Sequence, residues 1–282
     1  MVVGIAELAR RTCMAEARLD AALAERGIAR SRTHAARLIT DGSVTVDGRT
    51  VIKPSTRVTA EQVLALTAID HYVSRAAHKL LAALDSFAVP VTGRSALDVG
   101  ASTGGFSQVL LERGAASVVA LDVGHGQLDP FIGNNPAITV IEGFNARELT
   151  VLTLDAAAGH AVRVNLVVAD LSFISLTTVL PALVATVGVE ADYILLIKPQ
   201  FEVGRTGVKE GIVHDAGLRA DAISDVLWAG WDLGLPTAGL ISSPILGAAG
   251  NHEYLVWFST LSGSNPTEWR GRVLALARPS TS

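Results

Sequence analysis

The sequence predicts an α/β chain in which a small basic α+β module precedes a larger, mostly parallel sheet wrapped by helices. Three observations carry that expectation. Strand-like and helix-like runs alternate from about residue 74 onward, a glycine-rich turn at residues 97–106 breaks one strand from its helix, and residues 17–60 carry eight basic against four acidic side chains in a chain of net charge −4. Regular alternation gives a parallel sheet covered on both faces. A basic segment on an acidic body is the charge distribution of a chain that meets nucleic acid at one end.

Residues 1–16 show little apolar order and read as a disordered extension; residues 17–67 form the small module. From Arg18 a short helix carries Leu19 and Leu23 inward and stops at Gly27. Ser31 caps a second helix, whose Ala35, Leu38 and Ile39 form one stripe ending near Gly42. Val44 and Val46 alternate into Asp47-Gly48, a pair suited to a two-residue hairpin, followed by Val51. Pro54 closes the unit and VLALT adds a last strand. The pattern RLD…L…RGIARSR…A…LI..G.V.VDG..V.KP resembles the αL RNA-binding motif. That resemblance implies phosphate contacts from Arg18, Arg30, Arg32 and Arg37. Arginine suits them because its planar fork grips phosphate oxygens in two places without reading sequence.

Residues 68–73 read as a linker and residues 74–282 as one α/β domain. Ser74 opens a helix with Ala77, Leu80, Leu84 and Phe87 on one side. The strands follow as SALDV, SVVALDV, AITVIE, NLVVAD, DYILLIK, TAGLISS and EYLVWFSTL, with helices around 105–113, 176–187, 216–234 and 266–277. The last two strands are joined by a segment too short for a crossover helix, so they run antiparallel. One late reversal in a parallel sheet resembles the Rossmann-like methyltransferase arrangement.

Within LDVGASTGGF, glycines at 100, 104 and 105 let backbone amides approach a ligand, and the next helix turns its positive end towards it. Asp122 lies 22 residues after Gly100, where an acid can hold ribose hydroxyls. The pair reads as an adenosine-cofactor site, for a nicotinamide dinucleotide or for S-adenosylmethionine. Ser102 breaks the GxGxxG pattern, which a methyltransferase turn tolerates better. Ligands in such sheets sit at the C-terminal strand ends. Asp170 and Lys198 occupy those ends, Glu253 opens the reversed strand on the same rim, and Lys79 flanks the apolar stripe of the preceding helix. Lys198 ends a buried apolar strand, where lysine is rare unless paired or functional.

This set of charges suits methylation of a ribose hydroxyl. A lysine amine kept near neutrality by desolvation and by the second lysine accepts the 2′-hydroxyl proton, while the carboxylates hold the amines. No metal is called for: the seven histidines lack the spacing of a helical metal site, and the single cysteine, Cys13, excludes a thiolate cage and an internal disulfide. Each residue also has a plain structural reading. Asp170 would cap the helix after it, Lys198 would be a surface lysine, and Trp228, Trp231 and Trp257 would be core. Phe173 would stack on a nucleobase or on adenine.

The segments SRAAHKL, LDVGASTGGFSQVLLERGA, DVGHGQL, VVADLSFISL, IKPQFEVG, GIVHD and GNHEY are similar to those of the TlyA family. These are ribosomal RNA 2′-O-methyltransferases with an N-terminal αL domain and an FtsJ-like catalytic domain. The resemblance implies S-adenosylmethionine as cofactor and ribosomal RNA or ribosomal subunits as partners. It also implies cytidine ribose of 16S and 23S RNA as substrate, and a link to susceptibility to capreomycin-type antibiotics. By position it implies a catalytic set of Lys79, Asp170, Lys198 and Glu253. The implied cofactor set is Asp98, Gly100, Ala101, Ser102, Thr103, Gly104, Gly105, Phe106, Asp122, Val123 and Asn145. Ala76, His125 and the pair Gly143-Phe144 depart from the family pattern, at the hinge and the cofactor rim.

Two other function classes compete. A base-nitrogen methyltransferase is suggested by ADLSF, although Leu171-Ser172 stands where that class has prolines. The other is a non-enzymatic RNA-binding or membrane-lytic, haemolysin-like protein; a pore former would need a spanning helix or alternating barrel strands. No apolar run reaches the ~18–20 residues of a span. The N-terminal stretch meets Glu7, Arg10 and Arg11, so a cytoplasmic enzyme is expected.

Overall fold

A computed structural model describes residues 16–29, 31–40 (without the side chain of Arg37), 42–66, 71–204, 207–247 and 249–278. The chain divides into two units between His71 and Tyr72. Residues 1–15 of the proposed extension, residue 30 and residues 68–70 of the linker lie outside the described residues.

In the first unit, β1 (Ala17–Arg18) leads directly into α1 (Leu19–Glu25). In α2 (Arg32–Thr40) the first turn is closed by Ser31, whose Oγ accepts from the His34 amide at 3.1 Å. The hairpin of β2 (Val44–Val46) and β3 (Arg49–Thr50) turns through Asp47 and Gly48, both at positive φ (51° and 78°), as a two-residue hairpin turn demands. Farther on, β4 (Arg57–Val58) pairs antiparallel with β1, and β5 (Leu64–Leu66) pairs antiparallel with β2. Two-residue strands such as β1 and β4 carry no periodicity, so the sequence reading has no place for them. Leu19, Leu23, Ala35, Ile39, Val44 and Val58 form the core of this unit.

The second unit opens with α3 (Ala77–Phe87), three residues later than Ser74, because residues 74–76 form a turn closed by the Ala77 amide on the Ser74 carbonyl. There follow β6 (Ser95–Val99), α4 (Gly105–Glu112), β7 (Ser117–Leu121), α5 (Pro130–Gly133), β8 (Ile138–Ile141) and α6 (Val151–Ala158). Next come β9 (Leu166–Ala169), α7 (Leu176–Val187), β10 (Asp192–Ile197) and α8 (Pro199–Glu202). The chain closes with α9 (Ala216–Asp232), β11 (Thr237–Ser242), β12 (Tyr254–Phe258) and α10 (Pro266–Ala277). The seven strands are ordered β11-β12-β10-β9-β6-β7-β8. Among the described strands of this sheet, β12 alone runs against its neighbours, antiparallel to both β10 and β11.

The sheet has a hydrophobic layer on each face. Leu97, Val167, Leu195 and Val256 pack with residues of α7, α9 and α10, whereas Ala96, Val168, Leu196 and Leu255 pack with residues of α3 and α4. The tryptophan expectation needs correction. Trp228 and Trp231 are 41% and 38% exposed, because the buried stripe of α9 runs through Ile223, Val226, Leu227 and Gly230 and leaves them at its margin. Trp257 is half-buried, stacked on Phe87 at 5.9 Å between ring centres, with its indole N–H donated to Asp192 at 2.9 Å. Among the described residues no helix is long and apolar enough to cross a membrane.

Candidate active site

Side chains alternate across a strand, so a residue's face can be counted forward from its neighbours. Leu166 and Val168 face α3, which places Asp170 on that face just past β9; Ile194 and Leu196 do the same for Lys198. Leu255 fixes the face of β12, and Glu253 precedes it by two. Because β12 is reversed, its start lies at the rim where the parallel strands end. Lys79, in the first turn of α3, meets all three from the covering layer.

The four side chains form one continuous chain of opposite charges. Lys198 Nζ lies 2.6 Å from Asp170 Oδ1, Lys79 Nζ lies 3.4 Å from Asp170 Oδ2, and Lys79 Nζ lies 2.7 Å from Glu253 Oε2. Lys198 also donates to Ser172 Oγ at 2.8 Å. All of these charges are buried or nearly so, and Lys198 is only 8% exposed, which excludes the surface-lysine reading. Buried charges are costly unless paired, and here each has a partner. Burial pushes the Asp170 carboxyl up, but the two ammonium groups and their hydrogen bonds outweigh it and hold it below the usual carboxylate range. Asp170 is not the cap of α7; Ser175 is, its Oγ accepting from the Thr177 amide at 3.1 Å.

Beside this chain opens a cavity of about 470 Å³. Of the sequence-predicted residues, Gly100, Ser102, Asp122, Val123, Asn145 and Asp170 line it. Asp122 closes the glycine turn: its Oδ2 accepts from the Ser102 amide at 2.8 Å and its Oδ1 from the Gly124 amide at 2.7 Å. Asn145 caps the short 3₁₀ turn Ala146–Glu148 through the Arg147 amide. Gly100 sits at φ +85°, and a Cβ there would fall 2.7 Å from the Asp170 carbonyl oxygen. The turn after β6 therefore presses directly on the loop after β9, which only glycine permits.

The rest of the expected cofactor set does not line the cavity. Ala101, Thr103, Gly104, Gly105 and Phe106 turn away with the start of α4, Phe106 into the core and Gly105 against Ser74. Asp98 lies fully buried beneath the turn, where its Oδ2 accepts from Ser107 Oγ at 2.7 Å and its Oδ1 has no partner. Burial pushes its carboxyl up to about 7, and the charge of Asp170 adds to the rise. Phe173, expected to stack on a nucleobase or on adenine, and Phe144, expected at the cofactor rim, line the cavity too, whereas Gln127, Ala146, Leu171, Ser172 and Ile174 line it without having been singled out as cofactor contacts. They lie in loops after strand ends, and their position past a parallel strand is the one signal that marks them. Two departures from the family pattern prove to be linked. A Cβ at Gly143 would fall 2.5 Å from Nε2 of His125, so the imidazole occupies the space a side chain at 143 would need.

In the first unit, Arg18 spends its fork on Asp20, with Nε to Oδ1 at 3.1 Å and Nη2 to Oδ2 at 2.8 Å, and Arg32 Nε lies 3.4 Å from the same carboxylate. The bonds from Arg18 hold the Asp20 carboxyl down at about 2. Arg32 remains largely exposed. Arg30 and the side chain of Arg37 lie outside the described residues. Among the described residues no His, Cys, Asp and Glu side chains are grouped to hold a metal ion.

The FtsJ-like methyltransferase model matches residues 72–260, and the S4 domain model matches residues 17–64. The chain is 51% identical over 247 residues to the 16S/23S rRNA (cytidine-2'-O)-methyltransferase TlyA of Mycobacterium tuberculosis, covering 86% of this chain and 90% of that protein. It is 35% identical over 189 residues to the 23S rRNA (cytidine-2'-O)-methyltransferase TlyA of Campylobacter jejuni, covering 66% of this chain and 70% of that one. A solved structure of a hemolysin-named protein from Streptococcus thermophilus matches with a TM-score of 0.72 at 32% identity, over 94% of this chain and 96% of the other. With a sheet of this topology, an ion chain at its rim and these relatives, the chain belongs to the TlyA family of FtsJ-like methyltransferases, with an S4 domain at its N-terminal end.

Proposed function

We propose that this chain transfers the methyl group of S-adenosylmethionine to the ribose 2′-hydroxyl of cytidine in 16S and 23S ribosomal RNA. The observation that carries the reading is the continuous ion chain from Lys198 through Asp170 and Lys79 to Glu253, opening at Asp170 onto the cavity. The named activities of the M. tuberculosis and C. jejuni relatives support the substrate class.

The cavity residues fit the cofactor. Its volume falls in the range of roughly 300–1,000 Å³ typical of small-molecule sites. Leu121, Val123, Phe144 and Ile174 offer apolar surface for adenine, and the Asp122 carboxylate keeps lone pairs free for ribose hydroxyls. When bound, S-adenosylmethionine supplies a methyl group on a sulfonium, already strongly electrophilic. The protein's share is therefore alignment and removal of one proton. With its ammonium proton first lost to solvent, Lys198 accepts the proton of the 2′-hydroxyl as that oxygen bonds to the methyl carbon and the carbon–sulfur bond breaks. Asp170 and Ser172 fix the direction of the Lys198 amine, and Lys79 with Glu253 fixes Asp170. Phe173, 91% exposed at the cavity mouth, presents a ring face to the nucleobase. Residues 17–67 hold the RNA, with Arg32 a phosphate contact, while residues 74–282 carry the chemistry.

Labelled methyl transfer to purified 30S and 50S subunits, followed by digestion to nucleosides, tests the reading. The expected product is 2′-O-methylcytidine; a base-methylated nucleoside would replace this proposal with the base-nitrogen alternative. In cells, loss of the gene is expected to raise resistance to capreomycin-type antibiotics, with susceptibility restored by the wild-type chain and not by Lys198→Ala.

A further inference from the structure

Two segments build the reacting end of the cavity, and a carboxylate outside the ion chain ties them together. The first segment, residues 170–175, carries Asp170, Ser172 and Phe173. The second starts at Lys198 and turns at once into α8. Glu202, the last residue of α8, reaches back to the start of α7, where its carboxylate accepts from the Leu176 amide at 2.9 Å and from the Ser175 hydroxyl. We propose that Glu202 is a positioning residue for methyl transfer, clamping the Asp170 loop against Lys198. This rests on the reaction read above.

Three features separate a clamp from an ordinary helix cap. The first turn of α7 has its local cap in Ser175, on the Thr177 amide, and Glu202 takes the Leu176 amide from 26 residues away, so the same bond that completes the turn joins the two segments. Glu202 is also kept where burial and the charge of Asp225 push its carboxyl up, against the opposing hydrogen bonds from Ser175, Leu176 and Thr177. Finally, the loop it holds is under backbone strain. Phe173 adopts φ 65°, a left-handed conformation uncommon for a bulky residue, and the surroundings must enforce it. Among the described residues, polar and ring contacts that also tie the segments are the tilted contact of Phe173 with Phe201 at 5.3 Å and the contacts of Lys198 with Asp170 and Ser172. The first involves an exposed ring, and the second is the geometry to be maintained. Glu202 is the tie with no part in the reaction itself.

The test compares Glu202→Ala and Glu202→Gln in the full chain. Glutamine keeps a carbonyl for the Leu176 amide and an NH₂ for the Ser175 hydroxyl. Displacement of reacting groups by about 1 Å costs on the order of a hundredfold in rate, so the alanine variant is expected to lose roughly tenfold to a hundredfold in kcat. Its affinity for S-adenosylmethionine, measured by calorimetry, stays within about twofold, and the glutamine variant recovers most of the rate. Amide hydrogen exchange over residues 170–176, read without any RNA, is expected to rise in the alanine variant alone. Wild-type kcat in the alanine variant, unchanged exchange, or a glutamine variant as slow as alanine would each overturn the clamp. If the wild-type chain fails to methylate ribosomal RNA at the ribose, the proposed reaction falls, and the exchange measurement still decides whether Glu202 holds the loop.

Discussion

Lys198 is the residue on which the chemistry turns, and its surroundings separate charge from proton transfer. Replacing it with alanine removes the proton acceptor and leaves Asp170 with one ammonium partner; methyl transfer should fall by about 10²–10⁴-fold while S-adenosylmethionine binding persists. Lys198→Arg keeps the positive charge but supplies a group that does not give up its proton, so it should be nearly as slow. Rapid turnover by the arginine variant would show that Lys198 acts only as a charge. Asp98 supports a different prediction, for stability. Its ordinary value is 3.8 and burial raises it to about 7 in the folded chain. Below pH 4 both folded and unfolded states hold the proton. Between 4 and 7 only the folded state does, so unfolding releases a proton and stability declines as pH rises, by on the order of a few kcal/mol in all. Above 7 the contribution is flat. Urea titrations across that window should show the decline in the wild type and a shallower one in Asp98→Asn.

At the scale of elements, the site depends on two close approaches. The first is the turn after β6 pressing on the loop after β9. Gly100→Ala combines φ +85° with a Cβ 2.7 Å from the Asp170 carbonyl, and such strain costs about 1–3 kcal/mol. Both thermal stability and S-adenosylmethionine affinity should fall; a variant with wild-type affinity would show that the turn has room to move. The second is the pairing of α3 with the start of β12 through Lys79 and Glu253. Lys79→Met strands the buried Glu253 carboxylate and should cost about 3–5 kcal/mol in denaturation, and adding Glu253→Gln should recover part of the loss. Much of this was legible in the sequence. The reversed strand followed from a short connection, and Asp170, Lys198 and Glu253 followed from their places at strand ends. The roles of residues inside the glycine turn were not legible. Asp98 and Ser102 lie four positions apart in one motif, yet one side chain sits beneath the turn and the other residue lines the cavity. Residue type and spacing do not say which way a turn directs its side chains. Gln127 and Ile174 were missed because loops have no period to read, and α5 and α8 are too short to show one.

At the scale of the whole molecule, two units divide the work under the proposed reading: an S4 domain that grips RNA phosphates and a methyltransferase domain that holds cofactor and ion chain. Arg32→Ala should weaken RNA binding evenly across sequences and reduce the salt dependence by about one ion, without changing cofactor affinity. Arg18 should matter less than its place in the motif suggests, because Asp20 already occupies its fork. A loss of RNA and cofactor binding together in Arg32→Ala would contradict the division. The ion chain itself makes the sharper claim, that the reacting atom is the ribose 2′ oxygen. The direct measurement is methyl transfer to an RNA in which the modified cytidine is replaced by 2′-deoxycytidine, with every other nucleotide unchanged. Removal of proton and nucleophile together should abolish transfer while the RNA still binds. Undiminished methylation of the deoxy substrate would place the chemistry on the base and contradict the role assigned to Lys198 and Asp170.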